Sequence, residues 1–313
     1  MKINNNVLKF CSGIISMSRA FPYGRYLITV FPFFAVLIHN GLIISPRSFL
    51  LIIPFVTAMA AGFIYNTICD AQKDPKGKNI ITRGDFSKNN AYVVLITSII
   101  ISLLIFWLTY TSKIALIFFI FYIFIWLGYS GLKIRFKETY LATIIASIVL
   151  WVGAPFILLI EFHYFDYSTI FLLLGLFVIY IGHEIKHTTI EHDIDKEYDC
   201  KTFAVRCGKK YASIIEYVSL IVGFLLLLTG SYYFEPSLIG FTLLFSILFS
   251  ISLISTIWYG IKVGYNLHKD LIFITMPYIV TKTFIIAYGF MVLQLPIILV
   301  LFIIWIFFMD RYP

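Results

Sequence analysis

Runs of about 20 apolar residues recur along nearly the whole chain, and they restrict its fold more than any other feature. A helix of about 20 residues crosses the roughly 30 Å hydrocarbon core of a bilayer, and a helix satisfies its own backbone polar groups there. The candidate spans are residues 26–44, 48–69, 91–110, 114–130, 140–160, 168–190, 211–232, 237–258, 272–292 and 294–309. Pro277, Lys282 and Pro296 interrupt the last two spans. We therefore predict an all-α, polytopic membrane protein, a bundle of nine or ten transmembrane helices.

The composition leaves no room for a separate soluble domain. Hydrophobic residues make up 60% of the 313 residues and charged residues only 13%, against roughly 25% charged residues in an average soluble domain. We predict a single transmembrane domain over residues 1–313. The net charge of +8 comes from loops between apolar spans, where membrane topology accounts for it. Nucleic acid is therefore not predicted as a partner.

The distribution of basic residues predicts the orientation of the chain. Lys and Arg are normally retained on the cytoplasmic side of a membrane. If the N-terminus is cytoplasmic, all but three of the 24 Lys and Arg residues lie on that side. The exceptions are Arg47, Lys113 and Lys282. We predict a protein of the cell membrane with a cytoplasmic N-terminus, an amphipathic interfacial segment at 1–25, and cytoplasmic active-site loops at 70–90 and 191–210.

Two ladders of polar residues stand at the ends of apolar spans. The first consists of Asn66, Asp70 and Asp74, and the second of Glu191, Asp195 and Asp199. A step of four residues turns a helical side chain by only about 40°, so each set lies along one helix face. Carboxylate oxygens suit Mg²⁺, which is commonly shared between protein carboxylates and substrate phosphates. Nearby Lys and Arg residues complete a pattern that favours a diphosphate held by metal ions, with the ladders facing one another across a central cavity of the helix bundle.

Simpler explanations exist for the individual residues. A single carboxylate at a helix end is equally well explained by solvation, whereas the two ladders together, with Asn66 still inside an apolar span, favour a site. His187 or Glu184 could orient an acceptor or take its proton. Either side chain could instead pair with a neighbouring helix near the membrane surface.

The same residues resemble the motifs of one family. Asn66, Asp70 and Asp74 resemble the first aspartate-rich motif, NDxxDxxxD, of the UbiA-type membrane prenyltransferases. Glu191 and Asp195 resemble the second, DxxxD motif. The accompanying segments are also similar: IITRGDFS at 80–87, GYSGLKIRFK at 128–137, HEIKH at 183–187 and KTFAVRCG at 201–208. The motifs occur in the family's order along about half of the chain.

The sequence also departs from the family pattern. Thr67 stands where many members have Asp, and Asn79 and Ile80 replace a usual Arg-Pro pair. Glu191 replaces Asp, which keeps the charge and lengthens the reach. The missing Arg matters most, because Lys cannot make the same bidentate contact with phosphate. It puts the identity of the donor in question more than the metal site.

The resemblance implies a role for each motif residue. The implied Mg²⁺ ligands are Asn66, Asp70, Asp74, Glu191 and Asp195. The implied diphosphate-binding residues are Tyr129, Lys78, Arg83, Lys133, Lys201 and Arg206. The implied catalytic residues are Asp70, Asp195 and His187. The partners would be a polyprenyl diphosphate donor, a small acceptor and the lipid bilayer.

The implied function is Mg²⁺-dependent transfer of an isoprenoid group to a small acceptor, by default an aromatic or quinone-precursor molecule. Three alternatives stay open at this point. A terpene cyclase of the same fold would quench the cation internally, and a polyprenyl-phosphate glycosyl-type transferase would use a sugar diphosphate as donor. An ion-coupled transporter would use paired acidic sites for ions. The sequence does not give the acceptor or the chain length of the donor.

Overall fold

The computed structural model describes residues 5–18, 30–42, 50–71, 79–131, 135–265 and 272–292, and these ranges contain helices and turns but no strand. In chain order, the helices are α1 (Asn5–Ser18), α2 (Phe31–His39), α3 (Ile53–Asp70), α4 (Lys88–Thr109), α5 (Lys113–Ser130), α6 (Ala142–Glu161), α7 (Tyr167–Ile190), α8 (His192–Glu197), α9 (Phe203–Cys207), α10 (Lys209–Phe234), α11 (Ile239–Lys262) and α12 (Ile272–Val292). The chain forms two compact units, one of residues 1–27 and 44–137, the other of residues 28–43 and 138–313.

Six helical segments among the described residues are long and apolar enough to cross a membrane. They are α4, α5, α6, α7, α10 and Pro236–Lys262, which joins a short 3₁₀ turn to α11. These helices confirm the all-α, multi-pass prediction. The last predicted span, residues 294–309, lies outside the described residues.

Short polar residues determine where several helices begin. The Ser87 hydroxyl accepts a hydrogen bond from the Asn90 amide at the start of α4, and the Ser112 hydroxyl does the same for Ala115 in α5. At α7, Asp166 and Thr169 form a reciprocal capping box. Such caps satisfy backbone amides that the helix itself leaves unpaired.

In the first unit, an apolar cluster surrounds the end of α3 that carries Asn66 and Asp70. The buried members of this cluster come from α1, α3, α4 and the loop before α4, and are Met17, Ala61, Ile64, Ile68, Phe86, Ala91 and Leu95. The cluster therefore fixes the last turns of α3 against α1 and α4.

In the second unit, α7 and α10 approach each other closely at glycines. A Cβ atom built on Gly175 would lie 2.8 Å from the Gly223 carbonyl oxygen and 2.8 Å from the Leu227 amide nitrogen. Small residues at a helix crossing let two backbones come together inside a membrane. The contact holds α7, which carries His187 near its end, against α10.

We expect Gly175→Ala to destabilise the protein, because backbone atoms of α10 have no room to give way to the added methyl group. Overpacking of this kind costs about 1–3 kcal/mol. The measurement is thermal unfolding of the purified protein in detergent. Gly240→Ala is the matched control, since a Cβ there meets no atom within 4 Å. Equal melting temperatures for the two variants would contradict the expected close packing.

Candidate active site

The first predicted ladder begins on the last turns of α3. Asn66 and Asp70 are one helical turn apart, and the helix ends at Asp70. The Asp70 side chain is only 19% exposed. The third member, Asp74, lies outside the described residues.

Ser130, at the end of α5, and two basic residues that follow α5 bind this pair. Ser130 Oγ donates a hydrogen bond to Asn66 Oδ1 over 2.9 Å, and Lys137 Nζ donates to the same oxygen over 2.9 Å. Lys137 Nζ also contacts Asp70 Oδ1. Arg135 Nη2 donates to Asp70 Oδ1 over 2.7 Å. One amide oxygen and one carboxylate oxygen therefore share a single ammonium group.

This arrangement bears directly on the predicted metal. Amide and carboxylate oxygens are hard ligands of the kind that Mg²⁺ binds, and here both already face one positive centre, Lys137 Nζ. The residues present therefore fit a divalent cation at or near that position. Within the described ranges, no group of three or more His, Cys, Asp or Glu side chains could hold a metal ion. Further ligands would have to come from water, substrate phosphate or residues outside those ranges.

Asn79 has a structural task in this unit. Its Nδ2 atom donates to the Thr67 carbonyl oxygen over 2.9 Å, and its Oδ1 atom accepts from the Ile81 amide over 3.0 Å. The side chain is buried and ties the loop after residue 78 to the last turn of α3. The replacement of Arg by Asn at this position thus supplies a tether for the loop.

Two of the other predicted phosphate-binding residues of this unit, Arg83 and Tyr129, lie within the described residues. Arg83 Nε pairs with Asp85 Oδ2 over 2.7 Å in an exposed turn. Tyr129 lies in the last turn of α5, with its ring edge-on to Trp126 at 6.5 Å between ring centroids. Lys78 and Lys133 lie outside the described residues.

The second ladder starts where α7 ends. Glu191 terminates α7, and His187 Nδ1 lies 3.2 Å from Glu191 Oε2 across one turn. Asp195 lies on α8, where its Oδ2 atom accepts a hydrogen bond from the Thr202 hydroxyl over 2.9 Å. Asp199 adopts a φ of +57° in the turn after α8, a conformation that Asp tolerates better than most residues.

The two aspartates of α8 differ in their electrostatic environment. Burial raises the pKa of the Asp195 carboxyl, the Thr202 hydroxyl counters that rise, and the charge of Glu191 adds to it. Hydrogen bonds from Lys209 and His192 lower the pKa of the exposed Asp193 to about 2. Asp193 is therefore already paired with the Lys209 ammonium. The ionised form of Asp195 would gain more from an added cation.

The predicted phosphate-binding residues after the second ladder belong to one short segment. The Lys201 amide donates to the Glu138 carbonyl oxygen over 2.7 Å, while its side chain is exposed. The Arg206 guanidinium lies 4.6 Å from the centroid of the Tyr140 ring. The structure thus brings Lys201 and Arg206 beside the segment 138–140.

Comparison with known proteins identifies the family. The model described as the UbiA prenyltransferase family matches residues 26–270, well over half of the chain. The chain belongs to the UbiA prenyltransferase family. This confirms the resemblance seen in the motifs and the prediction that the protein is a prenyltransferase. A search of curated proteins finds no match.

Solved structures of UbiA homologues share the fold. One from Archaeoglobus fulgidus, bound to GPP and Mg²⁺, is 20% identical, with a TM-score of 0.61 over 90% of this chain and 99% of the homologue. An apo homologue from Aeropyrum pernix K1 is 16% identical, with a TM-score of 0.64 over 87% and 98% of the two chains. A digeranylgeranylglyceryl phosphate synthase in membranes is 15% identical, with a TM-score of 0.55 over 94% and 98%.

Several residues of this UbiA-family chain contact the predicted site residues although the sequence did not single them out. Arg135 and Lys137, which bind Asp70, are two of them. Both belong to the family-like segment GYSGLKIRFK and to the run of three basic residues between 131 and 139, but neither signal marks them individually. Thr202, which donates to Asp195, and Glu216, a fully buried carboxyl in α10, had no local pattern that marked them.

Proposed function

We propose that the protein is a Mg²⁺-dependent membrane enzyme that transfers an isoprenyl group from an allylic diphosphate to a small acceptor. The observation that carries this proposal is the meeting of Asn66 Oδ1 and Asp70 Oδ1 on the Lys137 ammonium, with the Arg135 guanidinium beside them. Such a set offers oxygens for a metal ion and cations for phosphate in one place. Family membership and the GPP and Mg²⁺ of the A. fulgidus homologue support the same conclusion.

In this proposal, the metal ligands are Asn66, Asp70, Asp74, Glu191 and Asp195. The diphosphate-binding residues are Lys78, Arg83, Tyr129, Lys133, Lys201 and Arg206, to which the observed contacts add Arg135 and Lys137. When bound, Mg²⁺ offsets the negative charge that develops on the diphosphate as the allylic C–O bond breaks.

The chain's own cations have a defined part in this reaction. Arg135 and Lys137 stabilise Asp70 in the free protein, and both can donate to phosphate oxygens once Asp70 has another cationic partner. The fork of Arg135 suits two phosphate oxygens, whereas the ammonium of Lys137 acts as a point charge. His187, held by Glu191, is the group proposed to receive or orient a proton of the acceptor.

The finer topology belongs to this proposal as well. We place the N-terminus and the loops at 70–90 and 191–210 in the cytoplasm, where Mg²⁺ and soluble diphosphates are available. The segment at 1–25 is proposed to lie at the membrane surface. Nine or ten helices in a single domain over 1–313 would surround a central cavity that holds the prenyl chain. The acceptor is proposed to be aromatic or a quinone precursor.

The deciding experiment is a substrate panel. Purified protein in nanodiscs receives DMAPP, GPP or a longer prenyl diphosphate, with and without aromatic acceptors, and diphosphate release and product masses are measured. We expect release with a prenylated acceptor as product. Release with a hydrocarbon product and no acceptor would indicate a cyclase, and no release from any donor would contradict the proposed function.

Removal of the metal is expected to abolish diphosphate release, because the leaving group then lacks charge neutralisation. The measurement is the release rate from the best donor after treatment with EDTA, followed by readdition of Mg²⁺. Recovery of the rate on readdition separates metal loss from damage to the protein. An unchanged rate in EDTA would contradict Mg²⁺ dependence.

A further inference from the structure

Three buried polar side chains lie on one face of α10, and each has a polar atom without a hydrogen-bond partner in the described part of the chain. These atoms are Ser213 Oγ, Glu216 Oε2 and the Tyr217 hydroxyl. Ser213 and Glu216 are completely buried and Tyr217 is 7% exposed. Positions three and four residues apart on a helix are neighbours, so the three side chains form one patch on the helix surface. We call it the α10 polar patch.

The rest of α10 explains why this patch faces the protein interior. The exposed large side chains of its first half are all apolar or aromatic, and are Tyr211, Ile214, Ile215, Val218, Ile221, Val222 and Leu225. These residues suit contact with lipid. An ionisable residue turned away from lipid inside a membrane-spanning helix is expected to have a function, because its burial is costly.

One oxygen of Glu216 is already held in place. The Tyr278 hydroxyl of α12 donates to Glu216 Oε1 over 2.9 Å. Lys186 Nζ of α7 lies 4.5 Å from the centroid of the Tyr278 ring, and the His183 ring meets the same ring edge-on at 5.0 Å. The carboxyl of Glu216 is thus oriented by α12 and lies beside polar groups of α7, while its second oxygen has no donor among the described residues.

Further polar and aromatic groups surround these residues. The Trp151 indole of α6 donates to Glu184 Oε1 over 3.4 Å and stacks on Tyr180 at 3.8 Å between centroids. Lys282 Nζ of α12 lies 5.5 Å from the Trp151 ring. Four helices therefore contribute charged and aromatic groups to a region inside the predicted spans.

Measured along the neighbouring helix α7, the α10 polar patch lies farther inside the membrane-spanning part of the protein than Glu191. This position suits the organic part of a substrate. A Cβ atom on Gly182 would lie 3.2 Å from the Glu216 carbonyl oxygen, so Gly182 marks the level of Glu216. Glu191, the proposed metal ligand, follows nine residues later along α7. At 1.5 Å per residue this corresponds to about 13 Å toward the helix end.

We propose that the α10 polar patch binds the hydroxyl-bearing head of the acceptor, with an acceptor hydroxyl donating a hydrogen bond to Glu216 Oε2. This proposal rests on the proposed function. A buried oxygen that lacks a donor is costly, so a donor from the ligand would stabilise it. A hydroxyl both donates and accepts, and can therefore bind Glu216 and receive a bond from Ser213 or Tyr217.

A purely structural role for Glu216 makes a different prediction. If the carboxyl only pairs electrostatically with Lys186, its loss changes stability but not ligand recognition. The test therefore measures binding directly and needs no turnover. The probes are three hydroxylated molecules, 4-hydroxybenzoate, 1,4-dihydroxy-2-naphthoate and glycerol 1-phosphate, each compared with its methyl ether.

The experiment measures the thermal shift that each probe causes in full-length protein in nanodiscs, with Mg²⁺ present. We expect at least one hydroxylated probe to stabilise the wild type and its methyl ether to have little effect. Glu216→Gln is expected to weaken binding of that probe by about tenfold, because an amide NH₂ group can take the place of Oε2 and cannot accept a hydrogen bond. Glu161→Gln, a buried carboxyl at the far end of α6, is the matched control and should bind as the wild type does.

Ser213→Ala provides a second variant in case Glu216→Gln does not fold. It removes a hydroxyl that has no partner in the described residues, so it should not lower the stability of the free protein, and we expect a smaller stabilising shift from the probe. Equal shifts in wild type and variants, or no shift with any hydroxylated probe, would overturn the proposal. Diphosphate release by the wild type is measured separately, and only its absence would count against the proposed function.

Discussion

Replacing Asp70 with asparagine is expected to lower Mg²⁺-dependent diphosphate release by about a hundredfold or more, a loss comparable to the removal of one strong electrostatic contact from a transition state. The substitution keeps the shape of the side chain and removes its charge. Asp70 Oδ1 is the atom that Arg135 and Lys137 both approach, so its charge holds these two cations in the free protein and would hold the proposed metal once it binds. The measurement is the initial rate of diphosphate release from the best prenyl donor.

Asp195→Asn should show a similar loss if the second ladder serves the same diphosphate. Glu235→Gln is the control, since Glu235 follows the far end of α10 and has no proposed role in the reaction. Melting temperatures of all three variants separate misfolding from loss of catalysis. Full turnover in Asp70→Asn would show that the metal site is elsewhere.

The long membrane helices could be predicted well because each satisfies its backbone internally and needs only length and hydropathy. The predicted span at 168–190 corresponds to the helix Tyr167–Ile190, and that at 91–110 to Lys88–Thr109. Local departures from regular α-helix could not be predicted in this way. A π-helical turn at Ile148–Val152 interrupts α6, and no composition or spacing rule in the sequence marked it.

The candidate site likewise has parts that the sequence predicts and parts that only the fold determines. The four-residue step of Asn66 and Asp70 indicated a shared helix face, since that relation is local. Lys137 lies about 70 residues later in the chain, so its contact with both oxygens depends on how α3 and α5 pack. The α10 polar patch could not be recognised from the sequence either, because an unpartnered atom is defined by what surrounds it in three dimensions.

Replacing Lys137 with methionine is expected to have opposite effects on two ligands. The Lys137 ammonium occupies the place between Asn66 Oδ1 and Asp70 Oδ1 that the proposed metal would take. Without it, binding of Mn²⁺ alone should strengthen by about tenfold, because a neighbouring like charge is removed. Binding of inorganic diphosphate with Mn²⁺ should weaken by about tenfold, because a charge-assisted hydrogen bond to phosphate is lost.

Mn²⁺ binding is measured by electron paramagnetic resonance of the free ion, with and without diphosphate. Lys113→Met, at the start of α5 and therefore at its other end from Ser130, changes the net charge equally and should leave both affinities unchanged. Unchanged affinity for Mn²⁺ alone in Lys137→Met would contradict competition for the two oxygens. Unchanged affinity for diphosphate would contradict the proposal that the Lys137 ammonium leaves Asp70 and pairs with the diphosphate. The opposite signs matter because general damage to the site would weaken both ligands, whereas a cation that changes partners must strengthen one as it weakens the other.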